Sequence, residues 1–167
     1  MVGNMALAQR KALILAADDF EDMELLYPLY RLAEEDVQVT VAGLDDHPVH
    51  GKKGHGPVPV DTTVEQVAEG DFDALVIPGG FAPDKLRRSP TVLDLVRAFD
   101  TANKPIAFIC HAGWVPISAR ILRAAAPPAW ARSATTWSTR APTGWTRPPW
   151  STATSSRPGP RPTWARG

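Results

Sequence analysis

The chain has one cysteine among 167 residues, Cys110. A lone thiol cannot close an internal disulfide. That excludes a disulfide-stapled scaffold and makes a reducing cytosol the expected setting. No apolar run approaches the roughly 18 residues that a membrane span needs. The start, MVGNMALAQRKALILAADDFED, lacks the order of a secretory signal, because the apolar stretch follows Arg10 and Lys11 directly and runs into acids. Neither charge is in excess, with 18 basic and 18 acidic residues, so no polybasic surface for nucleic acid is expected. Nor is there a phosphate cradle: Gly51–Gly56 (GKKGHG) lacks the strand-to-helix context such a loop requires. A cytoplasmic protein follows, with no membrane and no nucleic-acid partner.

The balance of charge conceals a second absence. Residues 124–167 contain no acid and no Val, Ile, Leu, Phe or Met. Seven residue types make up the whole segment, which holds eight of the 17 prolines, five of the six tryptophans and six arginines. Residues 1–123 thus carry all 18 acids against twelve bases, a net charge of −6. A disordered Pro/Ser/Thr linker would be poor in aromatics, and five tryptophans argue against one. All seven types have GC-rich codons. Trp150–Trp164, back-translated and read two nucleotides later, permits VDGNLVTSRTPADL; Ser133–Trp145 permits RDDLVNAGADWV. These shifted texts have the strand-like and helix-like patterns that the tail lacks. The expectation is an α/β domain over 1–123, incomplete at its C-terminal end, and a low-complexity, irregular frameshift product over 124–167.

Within the body, Lys11–Ala17 is a short apolar run bounded by charge, the mark of a buried strand. Phe20–Glu35 has near-helical apolar spacing, with Pro28 inside it. Val37–Ala42 alternates and reads as a second strand. Gly43–Val60, rich in Gly, Pro and His, reads as loop or hairpin. Asp73–Ile77 is a third strand, ended by Pro78, Gly79 and Gly80. A helix is expected over Ser89–Asn103, capped by Ser89 and opened by Pro90. Pro105–Ile109 is a fourth strand, and Ala112–Arg123 a last helix. Strands alternating with helices imply a parallel sheet sandwiched by helices. Ligands in such sheets bind beyond the carboxyl ends of the strands, which brings together Asp18–Asp22, Pro78–Asp84 and Cys110–Gly113.

Cys110 ends one strand and begins a helix, the place of a nucleophile held out of the sheet on a strained turn. A helix N-terminus there favours the thiolate. The competing role is that of a buried, inert thiol. His111 is a general base or proton carrier for that sulfur, or a helix cap that need not touch it. Asp18, Asp19, Glu21, Asp22 and Glu24 crowd five carboxylates into one loop and helix start. Most are solvated or sit well at a helix N-terminus; one turned inward has a raised pKa and can give a proton to a thiolate. The residue types alone do not choose which. Gly79 and Gly80 let backbone approach a reacting centre, and their amides can complete an oxyanion hole; the alternative is an ordinary strand-ending turn. His47, His50 and His55 resemble a metal set only loosely, since no cysteine or well-spaced carboxylate completes it. Neither metal nor cofactor is expected.

Three ordered stretches, ADDFEDMELLYP, DALVIPGGFAPD and IAFICHAG, resemble the PfpI-type intracellular protease and protein deglycase family, within the class I glutamine amidotransferase-like superfamily. The resemblance covers residues 11–123, and the shifted text of the tail is similar to the same family's C-terminal half. It implies a flavodoxin-like sandwich that assembles as dimers or hexamers. It places the nucleophile at Cys110, the adjacent histidine at His111, the acid that hydrogen-bonds the sulfur at Glu21, and the oxyanion hole at the amides of Gly80 and His111. Asp84 falls where relatives often carry a Glu that reaches a neighbouring subunit's histidine, on a shorter arm here.

Three functions are consistent with these residues. The first is a cysteine-dependent hydrolase or lyase acting on peptides, glyoxals or glycated groups in stress response. The second is a non-catalytic stress protein, either an oxidant sensor through Cys110 or a holder of unfolded clients, or an inactive truncated member of the family. The third, a glutamine amidotransferase, is disfavoured: no His follows His111 and no Glu follows Glu69.

Overall fold

The computed structural model describes residues 7–122. Five parallel strands form one sheet: β1 (Lys11–Leu15), β2 (Gln38–Gly43), β3 (Thr62–Thr63), β4 (Ala74–Ile77) and β5 (Ile106–Phe108). Their order is β3-β2-β1-β4-β5. Set the two-residue β3 aside and the order is that of a flavodoxin-like sheet. β1 is central because nothing in it past Lys11 requires water. Ala12 through Leu15 are buried, and they pair with Val39–Ala42 on one side and Ala74–Val76 on the other.

Four helices complete the described architecture: α1 (Asp22–Glu34), α2 (Ala82–Leu86), α3 (Pro90–Thr101) and α4 (Trp114–Ser118). The chain steps one way from β1 through α1 to β2, and the other way from β4 through α3 to β5. Right-handed crossovers then put α1 and α3 on opposite faces of the sheet. In α3 the side chains of Val92, Leu95, Val96 and Phe99 follow i, i+3, i+4, i+7 and all face the core. Burial of each such side chain contributes about 1.5–3 kcal/mol. Ser89 caps this helix, its hydroxyl accepting from the Val92 amide at 3.4 Å, and Pro90 takes the first position.

The structure departs from the expected elements in three places. Gly43–Val60 is a loop pinned by the antiparallel Val49–Val58 pair, and it is followed by the short strand β3. The loop after β4 contains the unforeseen α2. The last helix is shorter than Ala112–Arg123: a 3-10 turn covers Cys110–Gly113, and α4 stops at Ser118. It stops because Arg120 turns left-handed, with φ +60°. The Arg120 amide then reaches the Ile117 carbonyl and the Ile121 amide the Pro116 carbonyl, the paired bonds that close a helix end. The expectations for 124–167 lie outside the described residues.

Candidate active site

The order reversal between β1 and β4 is the switch point of the sheet, and the loops after these strands open there. β5 delivers Cys110 beside them. Cys110 has φ +57°, a left-handed conformation that costs a non-glycine residue about 1–2 kcal/mol. Its thiol is exposed, not buried. The Sγ atom lies 3.3 Å from Nδ1 of His111, so the two neighbours do meet. The His111 ring packs edge-on against Trp114.

Gly79 and Gly80 wedge between the first loop and this elbow. Gly80 has φ +81°, and a Cβ there would sit 2.4 Å from both the Asp19 carbonyl oxygen and the Glu21 amide nitrogen. Only glycine fits. Around it the Glu21 amide donates to the Gly79 carbonyl at 3.2 Å and the Phe81 amide to the Asp19 carbonyl at 2.8 Å. Neither the Gly80 nor the His111 amide donates to an acceptor among the described residues. Two free N–H groups therefore stand on the two loops that flank the sulfur.

The five acids of the first loop are each hydrogen-bonded or ion-paired, which is how like charges crowd here. Asp18 accepts from the His50 amide at 3.0 Å. Asp19 pairs with Lys85 at 2.9 Å. Asp22, the buried one, accepts from the amides of Lys53 at 3.1 Å and His55 at 3.0 Å. Glu24 accepts from the Gly79 amide at 2.9 Å. Glu21, 15% exposed, binds the ammonium groups of Lys52 at 2.5 Å and Lys53 at 2.7 Å.

The structure turns Glu21 toward Lys52 and Lys53. Its hydrogen bonds to Lys52 and Lys53 hold its carboxyl below the usual glutamate range, against the opposing effect of burial. A residue so placed is held as a carboxylate. Glu24 lies across Gly79 from the elbow. A Cβ on Gly79 would lie 2.5 Å from Glu24 Oε2 and 2.7 Å from the Cys110 Cβ, so both groups flank the same bare face of that glycine. For Asp22, burial would raise the pKa, but the two amides outweigh it and the net direction is down. Lys52 is held above the usual lysine range, chiefly by Glu21; desolvation opposes this, and Cys110 and Glu24 add smaller pulls upward.

The segment 49–58, which reads as a bland loop, is therefore a wall of the site. The Lys52 amide donates to the Phe20 carbonyl at 2.9 Å. Gly51 lies so close to Asp22 that a Cβ would meet its carboxylate at 2.6 Å. A sequence signal for this wall exists: five crowded carboxylates need cations, and Lys52–Lys53 is the one adjacent lysine pair in the chain. The histidines do not converge. His50 and His55 offer backbone amides, and His47 lies between Asp45 and Asp46. Among the described residues no group of three or more His, Cys, Asp or Glu is placed to hold a metal. Asp84 lies in α2, paired with Arg88 of the same chain. No helix among the described residues is long and apolar enough to cross a membrane.

The chain is similar to proteins of a known family. The DJ-1/PfpI family profile matches residues 10–139. Deglycase PfpI of Pyrococcus furiosus is 42% identical over 113 residues, 68% of this chain and 68% of that one. General stress protein 18 of Bacillus subtilis is 37% identical over 114 residues, 68% of this chain and 66% of that one. Among solved structures, a two-domain Anabaena variabilis protein with DJ-1/ThiJ/PfpI-like and ferritin-like domains superposes with a TM-score of 0.67 at 34% identity. That match covers 69% of this chain and 33% of the larger one.

Proposed function

The chain belongs to the DJ-1/PfpI family, and on that premise we propose that it is a cysteine-dependent hydrolase or lyase of deglycase or protease type, acting on glyoxals, glycated groups or peptides. One observation carries this: an exposed thiol on a left-handed elbow, 3.3 Å from an imidazole nitrogen, with the unengaged amides of Gly80 and His111 on the loops that flank it. Cys110 is the nucleophile. His111 takes the thiol proton as the sulfur adds to the carbonyl carbon of the substrate. The π pair moves to oxygen, which the two amides receive, and His111 returns the proton. Glu24 takes the role of the acid beside the sulfur, and Glu21 fixes Lys52 and Lys53 at the rim.

A cytoplasmic setting and a part in stress response belong to the same proposal, the latter supported by the name of the Bacillus relative. So does assembly as dimers or hexamers, in which Asp84 would approach His111 from a neighbouring copy. The exposure of Cys110 also favours a second reading, an oxidant sensor that turns nothing over. Turnover of methylglyoxal by the purified chain, abolished in Cys110→Ala, decides between them. Absence of turnover of both methylglyoxal and peptide substrates, with Cys110 intact and reduced, rejects the enzyme.

A further inference from the structure

Trp114 is the one tryptophan among the described residues, and it opens α4 directly behind the elbow. Its ring centroid lies 5.0 Å from that of His111, with the two planes at 81°. The Arg87 guanidinium stands 5.4 Å from the centroid of the same indole. Arg87 ends α2, which packs against both the 3-10 turn and α4. Three side chains from three elements thus run in line, Arg87 to Trp114 to His111, and end at the sulfur. His111 is itself exposed, and an exposed imidazole on a turn samples several rotamers unless something holds it. Edge-to-face packing of two rings restricts such sampling, because the positive edge of one seeks the negative face of the other. The cation over the indole restrains Trp114 in the same way.

We propose that Trp114, with Arg87 over its ring, is a positioning residue that keeps His111 in the rotamer placing Nδ1 against Cys110 Sγ. The proposal rests on the reading of His111 as the proton carrier for Cys110. It assigns to a tryptophan outside the Cys110–His111 pair a share of the reactivity of the thiol.

Cys110 is the one thiol of the chain, so its alkylation by iodoacetamide, followed by intact mass, reports the pair without any substrate. The experiment uses the full 167-residue protein. Trp114→Leu, which keeps apolar bulk but removes the ring, slows alkylation by roughly threefold or more, while Trp114→Phe stays close to the parent rate. Arg87→Ala slows it in the same direction, and serves as the second probe should the leucine variant not melt cooperatively. The decisive measurement is the double-mutant cycle. In a His111→Ala background, Trp114→Leu adds no further slowing, because the group it positions has gone. A parent-like rate in both Trp114→Leu and Arg87→Ala overturns the proposal. So does equal slowing by Trp114→Leu with and without His111, the mark of a merely structural role. A coupled cycle in a protein that turns over neither methylglyoxal nor peptides upholds the positioning and rejects the enzyme instead.

Discussion

The Glu21 carboxylate meets the Lys52 ammonium at 2.5 Å and the Lys53 ammonium at 2.7 Å, joining the loop after β1 to a loop thirty residues on. The pair has a consequence for stability against pH. The lowered pKa of Glu21 means the folded state binds its proton less readily than the unfolded chain. The stabilisation is present above the ordinary glutamate value of 4.5 and is lost as pH falls from there through the lowered folded value. Asp22 acts in the same direction, starting from 3.8. Urea denaturation from pH 7 down to 3 should therefore find Glu21→Gln less stable than the parent at neutral pH, with the gap closing in the acid. A constant gap across this range would show that the pair contributes nothing through charge.

Gly80 should not accept any side chain. A Cβ there meets two backbone atoms at 2.4 Å, and neither can swing aside as a side chain would. Gly80→Ala should cost about 2 kcal/mol or more, and should slow alkylation of Cys110 as the Gly79–Gly80 wedge is displaced. Denaturation midpoints and alkylation rates check both. A variant within 0.5 kcal/mol of the parent, a margin usual for surface changes, would mean the loop yields more easily than its contacts imply.

The main strands were legible because each is a short apolar run: Leu13–Leu15 and Leu75–Ile77 carry no alternative. α3 was legible because Ser89 and Pro90 announce its start. Thr62–Thr63 was not, since two residues have no period to read. Nor was α2, where Pro83 and Asp84 look like a turn and five residues are too few to show a helical period. α4 ended early through the left-handed turn at Arg120, a residue type that gives no such signal. At the site, Cys110, His111 and the Gly79–Gly80 pair stand out as candidates by residue type and place. Which of the five carboxylates faces Lys52 and Lys53 was not legible, because it depends on where a loop with no period of its own arrives.

Cys110 pays for its position with backbone strain. Its φ of +57° is open to glycine at no steric cost, and its exposed side chain contributes little burial. Cys110→Gly should therefore be more stable than Cys110→Ala by about 1 kcal/mol, although both are equally unreactive. Urea denaturation of the two variants tests this. Equal stability would place the strain elsewhere in the elbow.

The two acids can be separated at the sulfur. Glu24 and Cys110 flank the same face of Gly79, whereas Glu21 is neutralised by two lysines. Limited peroxide converts a reactive thiol to the sulfinic acid, and the yield depends on groups that hydrogen-bond or repel the developing anion. Glu24→Gln keeps the size of the side chain and its ability to accept from the Gly79 amide, but removes its charge and its titratable proton. It should change the sulfinic yield at Cys110, read by peptide mass spectrometry, by more than Glu21→Gln does. Glu21→Gln should instead show its effect in the acid stability profile. The opposite pattern, with Cys110 oxidation responding to Glu21 and indifferent to Glu24, would return the acid beside the sulfur to Glu21. It would also require the Lys52–Glu21 pair to open before the thiol reacts.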